Sequence, residues 1–229
     1  MNFSFGIITS GDFNDRLVTI INSIRNQKIK NYEIIIVGGN NNFQNDEDII
    51  HISFDEGVKP MWITKKKNMI TKNSNFDNIV FLHDYIKLND GWYEGHLKSG
   101  NNFDIRMDKI INFDGTRFRD WSIWPHNFNF MDSLIGRKCL IPYEMTHLTK
   151  FMYISGSYWV CKKHVMEKFP LNENLSWGEG EDVEWSKNVR QIYNFNMNPN
   201  SSVSIIKPGK DRAFEETDDE LNNKLNKII

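Results

Sequence analysis

The 229-residue sequence has one alanine, Ala213, two cysteines and six prolines. It has no apolar run near the roughly 18 residues that a membrane-spanning helix needs. Cys139 and Cys161 lie in Arg-Lys-Cys-Leu and Trp-Val-Cys-Lys settings without metal-type spacing, so no disulfide framework or cysteine metal site is implied. The opening run Met1 to Ile8 lacks the basic region and longer apolar stretch of a secretory leader, and a cytoplasmic protein is expected. Charge of one sign is missing too. Lys+Arg of 28 against Asp+Glu of 30 leaves a net charge of −2 with no basic block, which removes the electrostatic footprint of a protein that draws its affinity from nucleic-acid phosphates. Nucleic acid is therefore not an expected partner, and with no membrane span only peripheral membrane contact stays open. What is present, 39% hydrophobic and 13% aromatic residues, is a globular composition. Against roughly 150 residues per domain the length favours one large α/β domain over two.

Along the chain, Phe3 to Thr9 reads as a strand, and Leu17, Ile20, Ile21 and Ile24 carry helical spacing through Gln27. Tyr32 to Val37 is a buried-type strand stopped by Gly38-Gly39, a polar loop runs from Asn40 to Asp48, and Ile49 to Phe54 is a short strand. Pro60 is expected to open a helix through about Lys72, and Asn78 to His83 is another strand. This alternation predicts a mainly parallel sheet with a ligand crevice at the strand carboxyl ends, so the chemistry should collect around Thr9, Gly38, Asp55 and His83. Residues 87 to 150 read only as strand and loop insertions, including Trp124-Pro125-His126. Then follow a strand-like Phe151 to Cys161 interrupted by Gly156, a short helix near His164 to Lys168, a turn over Asn172 to Gly180, a helix over Glu181 to Tyr193 and a strand over Ser202 to Ile206. The charged stretch Glu215 to Ile229 reads as a surface helix, and there is no internal repeat.

Two segments carry candidate chemistry. Val80-Phe81-Leu82-His83-Asp84-Tyr85 is an apolar strand ending in a histidine and a carboxylate, where a hard divalent cation could be held against a diphosphate. An equally good reading has Asp84 capping the next turn and His83 packed beneath the sheet. In Trp177-Gly178-Glu179-Gly180-Glu181-Asp182, glycines allow close approach, Trp177 offers a flat face to a sugar, and the acids sit at a helix N-terminus that stabilises anions. A carboxylate there can serve as a general base. Ordinary charge complementarity would explain the acids but not the Trp-Gly-x-Gly run.

Together these residues resemble the inverting nucleotide-sugar glycosyltransferases of the glycosyltransferase-A fold, particularly the family 2 type and the galactosyltransferases with a W-G-x-G-E-D acceptor motif. The resemblance is carried by Gly6-Ile7-Ile8-Thr9-Ser10-Gly11, Glu33 to Gly39, Lys65-Lys66-Lys67-Asn68, Phe81 to Asp84, Gly156 to Val160 and Trp177 to Asp182. It implies a single Rossmann-like α/β domain over 1–212 with a mainly parallel, mixed central sheet, a nucleotide-sugar half (1–86), an acceptor half (87–212) and a tail (213–229). It also implies transfer of a hexose or related sugar from a nucleoside-diphosphate sugar, uridine-linked by that resemblance, to a carbohydrate or glycoconjugate hydroxyl with inversion.

By the same resemblance, Thr9, Ser10 and Gly11 border the nucleotide, Gly38 and Gly39 lie against base or ribose, and Asp55 lies near the base. Lys65, Lys66, Asn68 and His83 belong to the donor side, although three consecutive lysines cannot all face one ligand. Asp84 matches the position that binds Mn2+ or Mg2+, Gly156 and Trp177 the acceptor side, Asp182 the base, and Glu181 a group that orients the acceptor. The chain departs from the pattern in two places. His83-Asp84-Tyr85 offers one carboxylate where the family has two, and no histidine follows His164, with Lys207-Pro208-Gly209-Lys210 in that region. Rival readings are a catalytically silent sugar-binding domain and a nucleotidyltransferase, the latter disfavoured because Thr9 to Arg16 lacks a glycine-rich phosphate loop.

Overall fold

Runs of Ile, Val and Phe too continuous for a one-sided strand become the interior of a sheet covered on both faces. The computed structural model describes residues 1–11, 14–40, 43, 45–123, 139–209 and 214–227, the side chains of Asn14 and Phe151 excepted. Trp124-Pro125-His126, Lys210 and Ala213 lie outside the described residues. Strands β1 (Phe3–Ile8), β2 (Tyr32–Val37), β3 (Ile49–Ile52) and β4 (Asn78–His83) alternate with helices α1 (Asn14–Arg25) and α2 (Ile63–Asn73). They pair in parallel in the order β3-β2-β1-β4. Every residue of β1 and of β4 is buried.

The second half adds β5 (Ile86–Leu88), α3 (Trp92–Ser99), β6 (Ile105–Ile111), β10 (Tyr158–Lys162), α4 (Lys163–Lys168), α5 (Glu181–Val189) and β11 (Phe195–Ile205). Sheet order continues β4-β10-β6-β11-β5, with β10 antiparallel to both neighbours, β6 parallel to β11, and β5 antiparallel to β11. The central sheet is thus mixed, with a parallel half followed by a half in which parallel and antiparallel pairs both occur. A smaller sheet of β12 (Glu215–Glu216), β8 (Cys139–Leu140), β7 (Ser122–Ile123) and β9 (Met152–Tyr153) lies in the insertions, and α6 (Asp219–Asn226) buries Leu221 and Leu225. Among the described residues no helix is long and apolar enough to cross a membrane.

The tail, expected as one surface helix from Glu215, opens instead with β12 paired to β8, and its helix starts at Asp219. Three further differences have a local physical cause. The 87 to 150 region, expected as strands and loops, contains α3, whose Gly95 reads as a breaker. A Cβ there would meet Asn200 O and Ser201 Oγ at 2.3 Å, so the glycine lets β11 press against the helix. The α3 face buries Trp92 and His96, and both donate to the fully buried Asp108 of β6, which also accepts from Tyr158 and Asn198. Burial alone would raise this carboxyl, but His96, Tyr158 and Asn198 together hold it below the usual carboxylate range. Second, β11 begins at Phe195 instead of Ser202, because a register shift between Asn198 and Ser202 absorbs Pro199, which has no N–H to give. Third, Pro60 does not open α2. Met61 takes a left-handed φ of 54° and Ile63 starts the helix.

Candidate functional site

The carboxyl ends of β1, β2 and β4 come together, as a parallel sheet requires. Thr9 follows β1, and its Oγ1 donates to Asp84 Oδ2 at 2.7 Å just past β4. Gly38 and Gly39 follow β2 with φ of 92° and 66°, and a Cβ on Gly38 would stand 2.2 Å from Thr9 O. Only glycine combines those angles with so close an approach. Gly39 packs beside the Gly11 carbonyl, Ser10 is exposed, and the exposed Asp55 receives its own loop's Gly57 N–H at 2.9 Å. The resemblance thus names residues that do converge at Thr9, Gly38, Gly39 and Asp84, with Asp55 at the loop beyond.

The lysines separate, as the 100° step between helix neighbours demands. Lys66 is 2% exposed, donates to Thr9 O at 2.6 Å and pairs with Glu56, so it ties the β1 end to the loop after β3. Lys65 pairs with Glu173 at 2.9 Å, and Asn68 bonds both the N–H and the carbonyl of Leu171. Lys65 and Asn68 therefore contact the 171–177 segment. Lys67, to which the sequence reading gave no separate role, turns inward and donates to Gly156 O at 2.7 Å. A run of three charges hides which of them are buried, and no sequence signal singles Lys67 out.

Beside this convergence lies a cavity of about 730 Å³ with His83 and Gly156 on one side, Trp177 to Asp182 on another, and Arg119 and Lys207 also on its wall. Glu181 and Asp182 begin α5 behind Gly180, whose φ of 79° turns the chain into the helix. Asp182 Oδ2 accepts from Gly156 N at 3.0 Å and Oδ1 from Val183 N at 2.9 Å, so the carboxylate is held by two backbone donors. A Cβ on Gly156 would lie 3.0 Å from Glu181 Oε1 and 3.1 Å from Asp182 Oδ2, which explains glycine at that place. Burial, and then the Asp182 charge, push the Glu181 carboxyl above its usual range, while Lys67 pulls the other way. Trp177 is 58% exposed at the rim, and its backbone N–H donates to Met61 O at 3.2 Å.

His83 lines this cavity whereas Asp84 faces Thr9, so the two neighbours do not act as a chelating pair. Burial, with Lys67 and Lys207 nearby, holds the His83 imidazole well below its usual range, and its buried Nε2 has no hydrogen-bond partner among the described residues. Burial raises the Asp84 carboxyl, against the opposing pull of the Thr9 hydroxyl, Arg16, Lys66 and Lys207. Among the described residues no cluster of three His, Cys, Asp or Glu side chains could cage a metal. Mg2+ and Mn2+ sites at phosphates need only one or two carboxylates, the phosphates supplying the rest, and a buried carboxylate opposed only by a hydroxyl and more distant cations suits that role.

Solved structures share this architecture at low identity. The chain superposes on GalNAc-T7 with UDP, GalNAc and Mn2+ at a TM-score of 0.64 and 12% identity, covering 91% of this chain and 44% of that one. It superposes on S. aureus TarS 1-349 in complex with UDP-GlcNAc at 0.60 and 11%, covering 92% and 60%, and on the same protein with UDP at 0.59 and 11%, covering 90% and 61%. The fold is the glycosyltransferase-A fold. The chain spans about half the length of these structures. No family model matches it, and no curated protein sequence does.

Proposed function

We propose that this chain is a glycosyltransferase that moves a hexosyl group from a uridine-diphosphate sugar to a hydroxyl of a glycan or glycoconjugate, with inversion. The observation that carries the reading is one cavity that gathers Asp182, Glu181, Trp177, Gly156 and His83 on a fold shared with enzymes solved with UDP and UDP-GlcNAc. Thr9, Gly38 and Gly39 border the nucleotide at the strand ends, Trp177 stacks on the acceptor sugar, and Glu181 hydrogen-bonds one of its hydroxyls. Asp182 takes the proton of the attacking hydroxyl as that oxygen bonds to the anomeric carbon. The bond from that carbon to the diphosphate breaks on the opposite face, and the diphosphate departs with the electron pair. A divalent cation held by Asp84 would neutralise charge on the departing diphosphate.

A catalytically silent sugar-binding domain is the second reading, favoured by the single carboxylate at Asp84. Incubation with UDP-sugars in manganese, with and without glycan acceptors, separates the two. The enzyme releases UDP and forms a product of inverted anomeric configuration, read by proton NMR. Binding without any release of UDP would leave the silent domain standing, and a retained configuration would reject Asp182 as base.

A further inference from the structure

Lys67 stands on the inner face of α2, 1% exposed, with its ammonium 4.5 Å from the centroid of the Trp159 ring. A lysine so deeply buried needs partners for its charge. Its Nζ donates to Gly156 O at 2.7 Å, and the same glycine turns its N–H to Asp182 Oδ2 at 3.0 Å. Gly156 is thereby clamped between the Lys67 ammonium and the Asp182 carboxylate, and the next residue is fixed as well, since Ser157 O accepts from His83 N at 3.1 Å. The charged and titratable groups facing the Glu181–Asp182 pair are Lys67 from α2, Arg119 from the insertion after β6, and Tyr153 from β9. His83, which faces Lys67 from β4, is neutral at pH 7.

We propose that Lys67 is a positioning residue for the general base, holding Gly156 so that its N–H orients Asp182 and serving as the buried counter-charge of the Glu181–Asp182 pair. This rests on the reading of Asp182 as base. The arrangement explains how two adjacent carboxylates, one of them buried, remain available to take a proton. Two like charges in one partly dry site would otherwise share a proton, and a base already protonated removes none. Burial pushes Lys67 down to about 8, against the attraction of Glu181 and Asp182, so it is charged at neutral pH and loses its charge just above. The counter-charge then disappears with rising pH, and orientation of the base weakens with it.

The test compares Lys67→Met, which fills the slot without donor or charge, with Lys67→Gln, which keeps an N–H for the Gly156 carbonyl but carries no charge. Three quantities are measured: the pH profile of kcat for sugar transfer, the donor KM, and the carbon-13 titration of the Glu181 and Asp182 carboxyls. The wild type should show a basic limb near pH 8. Both variants should lose that limb, move the acid limb up by about one pH unit or more, and drop about tenfold in kcat at pH 7, with donor KM within about twofold. Lys67→Gln should keep more turnover than Lys67→Met. If Lys67→Met does not fold, Lys67→Gln carries the same comparison. An unmoved acid limb with unchanged carboxyl titrations would overturn the proposal, and so would a raised donor KM with kcat intact. A wild type without transfer or donor hydrolysis would reject the base reading. The carboxyl titration alone would then decide, an upward shift in Lys67→Gln supporting the counter-charge and no shift overturning it.

Discussion

Asp182 is held by two backbone N–H groups, from Gly156 and from Val183, so its orientation does not depend on its charge alone. Asp182→Asn keeps the size and part of that bonding but cannot take a proton. It should lower kcat for transfer by about 10²-fold or more, the scale of lost general-base catalysis, with donor KM nearly unchanged. Steady-state kinetics at saturating acceptor check this, and turnover within a few-fold of wild type would move the base to Glu181 or Glu179. The pair was legible in the sequence because a Gly-containing turn before two acids marks a helix start whatever the tertiary context. Lys67 was not. Spacing separates neighbouring lysines by direction but does not say which direction is inward, and the apolar residues of α2, Ile63, Met69 and Ile70, are too few to define a face.

At the scale of elements, α2 and its entry loop hold the segment that carries Trp177. Lys59 donates to the carbonyls of Glu173 and Asn174, Trp62 Nε1 to Glu173 O at 2.7 Å, and Thr64 Oγ1 to Leu175 O at 2.8 Å. Asn68 bonds Leu171 twice, and its amide also reaches the Glu173 carboxylate at 3.0 Å. The 171–177 segment is thus braced in place before any acceptor arrives. Asn68→Ala removes three of these bonds at a half-buried place, and at about 1 kcal/mol for each net hydrogen bond the segment should loosen measurably. The expected result is an acceptor KM raised about five- to tenfold, an unchanged donor KM and faster protease cleavage within 171–177. A raised donor KM instead would return Asn68 to the donor side, where the family resemblance put it. This brace also shows why Pro60 misled. Met61 O accepts from both Ile63 N and Trp177 N, and that tertiary demand sets Met61 to a left-handed φ and delays the helix. The β1, β2 and β4 strands were legible because continuous apolar runs survive any context. By contrast α3 and β6 hide their period behind Gly95, His96 and Asp108, whose burial depends on partners distant in sequence.

For the molecule as a whole the proposed function asks how a multiply charged diphosphate would be met by a chain with net charge −2. The strand ends would offer it the Asp84 carboxylate, while Lys66 is already engaged by Glu56 and Thr9 O. The cations on the cavity wall are Arg119 and Lys207, and Lys207, two residues past β11, is exposed and 3.8 Å from the centroid of the Tyr85 ring, where a solvated ammonium is screened and worth little. Attraction from these side chains would be opposed by Asp84, and on the proposed function a divalent ion held by Asp84 would remove that repulsion. UDP should therefore raise the melting temperature more in manganese or magnesium than in chelator. If the metal tightens binding enough for UDP to stand at 100 times Kd, the gain is about 2.7 kcal/mol, or about 5 to 10 °C for a domain of this size. Asp84→Ala should fold and should lose the difference between metal and chelator, since its partner Thr9 keeps a hydroxyl that water can satisfy. Equal shifts in the two conditions for the wild type would assign the diphosphate to the cavity-wall cations Lys207 and Arg119 and not to a metal. A large fall in melting temperature for Asp84→Ala, with UDP binding intact, would make the Thr9–Asp84 hydrogen bond a fold contact that ties the ends of β1 and β4 together.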